Sequence, residues 1–188
     1  YKDIDGVLYN KAGDEIICVP AAYNNENFKI PTSVKSIQDY SFYGCSNIKS
    51  VEIPYGVKSI YNYAFSNCSN LESIEMPESV TSIGPCAFYG CSSLKGIVIP
   101  SGIMSIDAHM FRDCSNLESI KIPSSVTNIS FYAFSGCSSL KSIDIPSGVT
   151  ILNMVRFQVV VILKESRYLL VYLKYGKLCF RVAVVLKV

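Results

Sequence analysis

The sequence contains no tryptophan, a single histidine (His109), and only 17% charged residues among its 188. It also lacks a C-x-x-C pair, so the strongest cysteine signal for a zinc site is missing. No glycine-rich phosphate loop follows a predicted strand, and no paired acids or activated serine stand out. These absences predict a chain that is not an enzyme and that holds no metal or cofactor.

Charge and hydropathy argue against two further classes of partner. The formal net charge is only +2, which argues against nucleic-acid binding. The longest charge-free run in the apolar C-terminal part is 157–163. That run is far short of the ~20 apolar residues that a membrane-spanning helix needs. We therefore predict neither a nucleic-acid partner nor a membrane span.

The main feature of the sequence is a tandem repeat with a fixed period of 23 residues, which is the distance from Pro31 to Pro54 (54 − 31 = 23). Five segments align without gaps, at 30–52, 53–75, 76–98, 99–121 and 122–144, and a sixth begins at Ile145. Three residue types mark the register. Proline recurs at 31, 54, 77, 100, 123 and 146, phenylalanine at 42, 65, 88, 111 and 134, and cysteine at 45, 68, 91, 114 and 137.

One such unit is too small to fold alone. Its few inward side chains contribute about 1.5–3 kcal/mol each on full burial, whereas ordering each residue costs about 1–2 kcal/mol. Neighbouring units must therefore stack and share a core, which predicts a solenoid. The stretch "LKSIDIP" (140–146) alternates apolar residues as a short strand does, and its proline ends the strand. We expect a mainly β solenoid whose strands are joined by short turns or 3-10 segments.

The pattern I-P-x-x-V-x-x-I-x-x-x-A-F-x-x-C-x-x-L-x-x-I-x covers residues 30–150 and resembles the BspA-type leucine-rich repeat. The resemblance implies a leucine-rich-repeat solenoid from a secreted or cell-surface protein, located outside the cell. It also implies a non-catalytic module that adheres to a host or neighbouring-cell protein or glycan. The alternative is a structural spacer that displays another domain and binds nothing itself.

The first residues depart from the repeat. The stretch "DGVLYNKAGDEIICVPAAY" (5–23) resembles a variant unit of the same family. Its two strand-like runs, joined by a polar turn, predict a β-hairpin. We predict three regions: an N-terminal hairpin unit (1–29), tandem repeats (30–150) and a divergent tail (151–188). The uncovered end of the solenoid also allows association between molecules.

The eight cysteines and the histidine invite a disulfide or metal interpretation. Five equivalent cysteines cannot all pair with one another, and free cysteine is among the most buried residue types. We expect a column of inert thiols, although coils about 5 Å apart would allow a bridge. His109 lies one repeat period after Cys86, in a register otherwise held by Tyr40, Tyr63 and Tyr132. We interpret it as one member of a tolerant aromatic column.

Outward positions of successive strands form three columns and supply the candidate binding residues. The first column alternates in charge, which predicts cross-strand ion pairs. The second is mostly serine, and the third mixes acids with a valine and a lysine. The candidates are Lys49, Ser50, Glu52, Glu72, Ser73, Glu75, Lys95, Val98, Glu118, Ser119, Lys121, Lys141, Ser142 and Asp144. Most tyrosines lie outside these columns, so a site on another edge is left open.

From residue 151 onward the repeat stops and valine and leucine dominate. A second reading frame, built from the third base of each codon and the first two of the next, permits the repeat to continue. In that frame "FRVAVVLKV" (180–188) can encode S-G-C-S-S-L-K-G, with cysteine at the expected position 183. We hypothesise that one base was lost near codon 150. If 168–185 still orders, we expect a hairpin about Tyr175 and Gly176 at the solenoid end.

Overall fold

The computed structural model describes residues 1–152, 160–163 and 185–186. Over these residues the chain is a solenoid made of strands and turns. None of the described residues belongs to a helix that could cross a membrane. The strands are β1 (Lys2–Ile4), β2 (Val7–Tyr9), β3 (Glu15–Cys18), β4 (Asn27–Lys29), β5 (Ser36–Ile37), β6 (Ser50–Glu52), β7 (Ser59–Ile60), β8 (Ser73–Glu75), β9 (Ser82–Ile83), β10 (Gly96–Val98), β11 (Ser105–Ile106), β12 (Ser119–Lys121), β13 (Asn128–Ile129), β14 (Ser142–Ile145), β15 (Ile151–Leu152), β16 (Val160–Leu163) and β17 (Val185–Leu186).

Each coil contributes one strand to each of two faces. The first face contains β4, β6, β8, β10, β12 and β14, and the second face contains β5, β7, β9, β11, β13 and β15. Paired strands on both faces are parallel and in register, with Ser50 opposite Ser73 and Ser59 opposite Ser82. Both offsets equal the sequence period, because one repeat makes one full coil. The prediction of stacked strands is confirmed.

The third side, which we call the turn edge, returns the chain from the second face to the first. Its backbone bonds run toward the following coil, as when the Phe42 N–H donates to the Ala64 carbonyl at 2.8 Å. Two residues of each turn have positive φ, a region that L-residues other than glycine, asparagine and aspartate seldom occupy. These residues are Tyr40, Tyr63, Cys86, His109 and Tyr132, followed by Gly44, Asn67, Gly90, Asp113 and Gly136.

The first of these two columns is the register that was interpreted as a tolerant aromatic column. All five residues have φ between 55° and 59°, so the position is fixed by backbone conformation. A non-glycine residue in this region is disfavoured by roughly 1–2 kcal/mol. Four of its N–H groups, including those of Cys86 and His109, donate to carbonyls of the next coil. These bonds hold the strained turn in place.

The core is a set of columns that run along the solenoid. Successive phenylalanine rings of the repeat stack with centroids 4.7–5.6 Å apart, and each ring is at most 1% exposed. The regular spacing of the sequence thus becomes contact between identical side chains in adjacent coils. The isoleucine, leucine and valine positions of the repeat pack around this aromatic column.

The predicted N-terminal hairpin is present and covers the first coil. Strands β2 and β3 pair antiparallel, and β3 then pairs parallel with β5. Val7, Tyr9 and Ile16 are buried against the core, so they shield its N-terminal end. An additional strand, β1, pairs antiparallel with β2 and has exposed side chains throughout.

Only short parts of the tail belong to the described residues. Ile151 pairs with Asn128, an offset of 151 − 128 = 23 that keeps the repeat period. Val160 pairs with Ser142, an offset of 160 − 142 = 18, so β16 joins the first face out of the repeat register. Strand β17 then pairs parallel with β16. The hairpin predicted about Tyr175 and Gly176 lies outside the described residues.

One coil junction differs from the others. Within the described residues, no strand pairing joins β8 to β10 on the first face or β9 to β11 on the second. The first face also lacks a pairing between β12 and β14, but at that junction the second face stays paired through β13 and β15. The turn edge crosses the same junction intact, because Cys86, Phe88 and Gly90 each donate a backbone bond to the next coil at 2.8–3.0 Å. Backbone bonds also cross it just before β10, from Ser93 and Lys95 to the preceding coil. The solenoid is therefore continuous along the turn edge, whereas its strand ladders are interrupted on both faces.

Candidate ligand-binding face

The first face carries all the sequence-predicted candidate residues. They lie on β6, β8, β10, β12 and β14 or at the residue before each strand. Because side chains alternate along a strand, the residues between them, such as Ile74 and Ile97, point into the core. Every candidate is at least partly exposed. The structure thus brings the three predicted columns together on one surface.

The predicted cross-strand ion pairs are present in part. Lys95 pairs with Glu72 at 2.7 Å, but Lys49 pairs with Glu26 of the preceding coil at 2.8 Å. A third pair joins Lys29 to Glu52 at 2.9 Å. The Lys95 hydrogen bond and charge lower the pKa of Glu72, and the Glu72 partner raises the pKa of Lys95. Much of the charge on this face is therefore matched between neighbouring coils.

The sequence candidates did not include Glu26 or Lys29. Both lie in the region predicted as a variant N-terminal unit. Strand β4 nevertheless pairs with β6 at an offset of one repeat, with Asn27 opposite Ser50. The signal was available, since Glu26 stands one period before Lys49 and Lys29 stands one period before Glu52. Extending the repeat register backward by a few residues would have found them.

An open groove of about 510 Å³ lies on the first face across β8, β10 and β12. Met76 and Ile120, which are only partly buried, contribute apolar surface, and Val98 is 57% exposed there. The buried Ile74 and Ile97 lie beneath it. Glu75 and Lys121 also line the groove. The sequence candidates included Val98, Glu75 and Lys121, but sequence alone gave no sign that an open groove forms.

The cysteine column is buried and its thiols are hydrogen-bonded. Cys68, Cys91, Cys114 and Cys137 each donate to a phenylalanine carbonyl 26 residues earlier, at 3.0–3.1 Å. Burial is the main cause that raises the pKa of all five column thiols, to about 12 for Cys45 and Cys137. All described cysteines are free, and Cys18 is the exposed one among them. The column is buried and its thiols are free, as predicted, and their inertness stays a prediction.

His109 belongs to a row of ring contacts on the turn edge. Its ring stacks on Tyr132 with centroids 5.0 Å apart, as Tyr40 stacks on Tyr63 at 4.8 Å. Arg112 lies over the Tyr132 ring and 3.4 Å from His109 Nδ1. Partial burial, and then the Arg112 charge, lower the pKa of His109. Among the described residues, no group of three or more His, Cys, Asp or Glu side chains is arranged to hold a metal.

The stacked coils, the parallel strand register and the one-coil period define a leucine-rich-repeat solenoid. A family model described as the BspA type leucine-rich repeat region matches residues 21–130 and 105–181, with six copies. This chain therefore belongs to the BspA-type leucine-rich repeat family.

Solved structures agree with this assignment. A leucine-rich cell surface protein from Faecalibacterium prausnitzii A2-165 is 37% identical, with a TM-score of 0.72 over 84% of this chain and 40% of its own. A leucine-rich repeat protein from Eubacterium ventriosum is 29% identical, with a TM-score of 0.65 over 79% of this chain and 47% of its own. The Treponema pallidum leucine-rich repeat protein, at 24% identity and a TM-score of 0.68 over 86% of each chain, shares the fold.

The chain thus spans less than half the length of the first two of these proteins. No curated protein is significantly similar to it in sequence.

Proposed function

We propose that this chain is a non-catalytic protein-binding module of a surface or secreted protein, and that its first face contacts the partner. The family and its cell-surface relative support a binding or scaffold role outside the cell. The observation that carries the proposal is the first face itself, which presents exposed side chains in three columns at coil spacing. Solenoids of this kind use such extended surfaces for recognition. Adhesion to a protein or glycan of a host or neighbouring cell is the role we assign to it.

A spacer role is the second candidate, and the ion pairs favour it. Glu26, Lys29, Glu52, Glu72 and Lys95 all engage partners within the same face. Charges that neutralise each other across coils solvate a sheet without requiring a ligand. In that case the solenoid would display a neighbouring domain and bind nothing itself.

Binding of the full chain to a panel of purified extracellular-matrix proteins and to a glycan array separates these roles. The test variant combines Glu52→Lys, Glu75→Lys and Lys121→Glu, which reverses exposed charges on the first face. The control variant combines Lys35→Glu and Lys58→Glu, which reverses exposed charges beside the second face. Loss of binding in the first variant alone supports the proposal. No ligand on either panel supports the spacer role, and equal binding by both variants rejects the first face as the site.

A further inference from the structure

The groove on the first face forms where this coil departs from its neighbours. Gly96 stands in a column that is serine at 50, 73, 119 and 142. Val98 stands in a column that is otherwise charged, at Glu52, Glu75, Lys121 and Asp144. The strand ladder between β8 and β10 is interrupted at the same coil. Two side-chain changes and one break in pairing thus coincide at the groove.

The centre of the groove is apolar. Without a Cβ at Gly96 the surface is open down to the sheet, and a Cβ built there would come within 3.1 Å of Ser119 Oγ. Val98 is more than half exposed beside it, and Met76 and Ile120 are only partly buried. Burying such surface under an aliphatic side chain is favourable in proportion to the area removed from water. The groove therefore favours an aliphatic group at its centre.

Opposite charges lie on the two sides of that centre. Glu75 precedes Val98 by one coil and Lys121 follows it by one coil, with Lys121 directly opposite Val98 in register. The step from Val98 to Lys121 joins paired strands, which lie about 4.8 Å apart, whereas the step from Glu75 to Val98 crosses the unpaired β8–β10 junction and is at least as long. The two charged residues are therefore separated by about 10 Å or more. Neither residue takes part in any of the four ion pairs found among the described residues. Glu72 and Lys95 are held in an ion pair and these two residues are not, although the Lys121 charge, after the Ser101 hydrogen bonds, helps to lower the pKa of Glu78.

We infer that this groove binds an extended peptide that carries a basic, an aliphatic and an acidic residue at every second position. The inference rests on the proposed protein-binding role. The basic side chain pairs with Glu75, the aliphatic one covers Gly96 and Val98, and the acidic one pairs with Lys121.

The spacing of an extended chain suits these three contacts. Residues i, i+2 and i+4 share a face and span about 13 Å. Flexible lysine and glutamate side chains make up the difference between this span and the distance of about 10 Å or more between Glu75 and Lys121. None of the described residues that line the groove is aromatic, so the stacking surface that favours a sugar is missing there. A peptide therefore fits this groove better than a glycan.

Charge matching gives a test that does not depend on the direction in which the peptide runs. Three blocked, fluorescein-labelled peptides with the cores Lys-Ser-Leu-Ser-Glu, Lys-Ser-Leu-Ser-Lys and Glu-Ser-Leu-Ser-Glu serve as probes. Fluorescence polarisation measures their affinity for the full chain and for the single variants Glu75→Lys and Lys121→Glu. We expect the unmodified chain to bind the mixed peptide, with one lysine and one glutamate, most tightly. Glu75→Lys should bind the acidic peptide, with two glutamates, most tightly, and Lys121→Glu should prefer the basic peptide with two lysines. Each matched charge is worth up to about fivefold in Kd.

Two further variants fill the groove with residues that other coils carry at the same register. Gly96→Ser and Val98→Glu should each weaken binding of the mixed peptide at least about fourfold, because the new side chain displaces at least one methylene of the peptide's aliphatic residue from apolar contact. Met104→Glu makes the same kind of change at a 62% exposed position outside the groove and should leave binding unchanged. Thermal melting followed by circular dichroism checks that all three variants remain folded.

Equal affinity for the three peptides, or undiminished binding by folded Gly96→Ser and Val98→Glu, would overturn the inference. The proposed function fails differently. Suppose that the triple charge-reversal variant no longer binds a matrix protein, whereas Gly96→Ser binds it normally. The first face is then a binding surface, and the groove is not its site. If the peptides follow the charge pattern, the groove is a peptide site whichever panel protein binds.

Discussion

The thiol of Cys91 donates a hydrogen bond to the carbonyl oxygen of Phe65, with 3.1 Å between Sγ and the oxygen. The two residues belong to consecutive coils, and their bond joins the cysteine and phenylalanine columns. The same pairing recurs between Cys68 and Phe42. The repeated cysteines, whose spacing invites a disulfide interpretation, are thus a line of free thiols. Their thiols donate hydrogen bonds to backbone carbonyls of the preceding coil.

This geometry predicts which thiols react. In the folded chain, iodoacetamide at pH 8 should modify Cys18, which is exposed, and spare the five column cysteines, which are buried and have raised pKa values. Peptide mapping by mass spectrometry resolves each site. In denaturant all of these cysteines should react at similar rates. Modification of Cys91 or Cys114 under native conditions would show that the column is open to solvent.

The phenylalanine column predicts a large loss of stability on truncation. Phe88 is fully buried and stacks on Phe65 and Phe111. Phe88→Ala should lower the free energy of unfolding by about 3–5 kcal/mol, because it removes apolar contacts and leaves a cavity. Phe131→Ala, at a 53% exposed position, is the matched control and should change the free energy of unfolding by no more than about 0.5 kcal/mol. Urea denaturation measures both, and similar losses would contradict the packing described.

The second positive-φ column predicts two separable costs for Gly90→Ala. Gly90 has a φ of 70°, and a Cβ there would come within 2.5 Å of Asn67 Oδ1. Gly44 has the same φ of 70° with no atom within 4 Å of its Cβ position. Gly44→Ala should therefore cost about 1–2 kcal/mol from backbone strain alone. Gly90→Ala should cost more.

A double-mutant cycle isolates the steric part of that cost. Asn67→Gly removes the side chain that the new methyl group would meet, so Gly90→Ala in this background should cost about as much as Gly44→Ala. Asn67 also donates to the Tyr43 hydroxyl at 3.2 Å, and the Asn67→Gly single variant accounts for losing that bond. Strict additivity of the two substitutions would argue that Asn67 does not obstruct position 90.

The Glu72–Lys95 pair predicts a local pH dependence. The hydrogen bond and charge of Lys95 lower the pKa of Glu72 in the folded state. A lowered folded-state pKa stabilises the fold above the unfolded value, about 4.3, and this contribution is lost as the pH falls through the folded value. NMR titration should show the pKa of Glu72 rising toward its ordinary value in Lys95→Met. Lys58→Met, beside the second face, should leave it unchanged, and an unchanged Glu72 in Lys95→Met would rule out the pair in solution.

The frame-shift hypothesis for the tail predicts a property of the coding DNA. The second frame from codon 150 onward should encode a continued repeat of the same period, with phenylalanine at 157 and cysteine at 160 and 183. Sequencing the source DNA checks this directly. Codon choices that cannot give these residues in the second frame would reject the hypothesis.

The sequence was sufficient for the features that depend on spacing alone. The constant repeat period predicted parallel in-register strands, and it predicted that Phe88 and Cys91 would be buried in columns. The polar turn between two apolar runs predicted the pairing of β2 with β3. These features follow because each depends on a residue type recurring at a fixed distance or on a local turn signal.

Other features depend on backbone conformation or on a choice between equivalent neighbours. Tyr40 and His109 have positive φ, but neither is a residue type that signals it, so the sequence indicated the aromatic column without its backbone conformation. Lys49 had acids at the same distance on both sides, Glu26 and Glu72, and only the three-dimensional structure shows that it pairs with Glu26. The groove coincides with the interrupted ladder between β8 and β10, and the sequence alone shows only the departures at Gly96 and Val98, not the break in pairing.

That interruption also determines how the solenoid would respond to force. A pull along its axis loads every coil junction in series, and among the described junctions this one has paired strands on neither face, so it yields first. At the boundary between β8–β9 and β10–β11, the remaining backbone bonds lie along the turn edge and in the segment that leads from it into β10. The two stacks of coils would swing apart about that side as a hinge, and the molecule would lengthen in one discrete step before any coil unwinds.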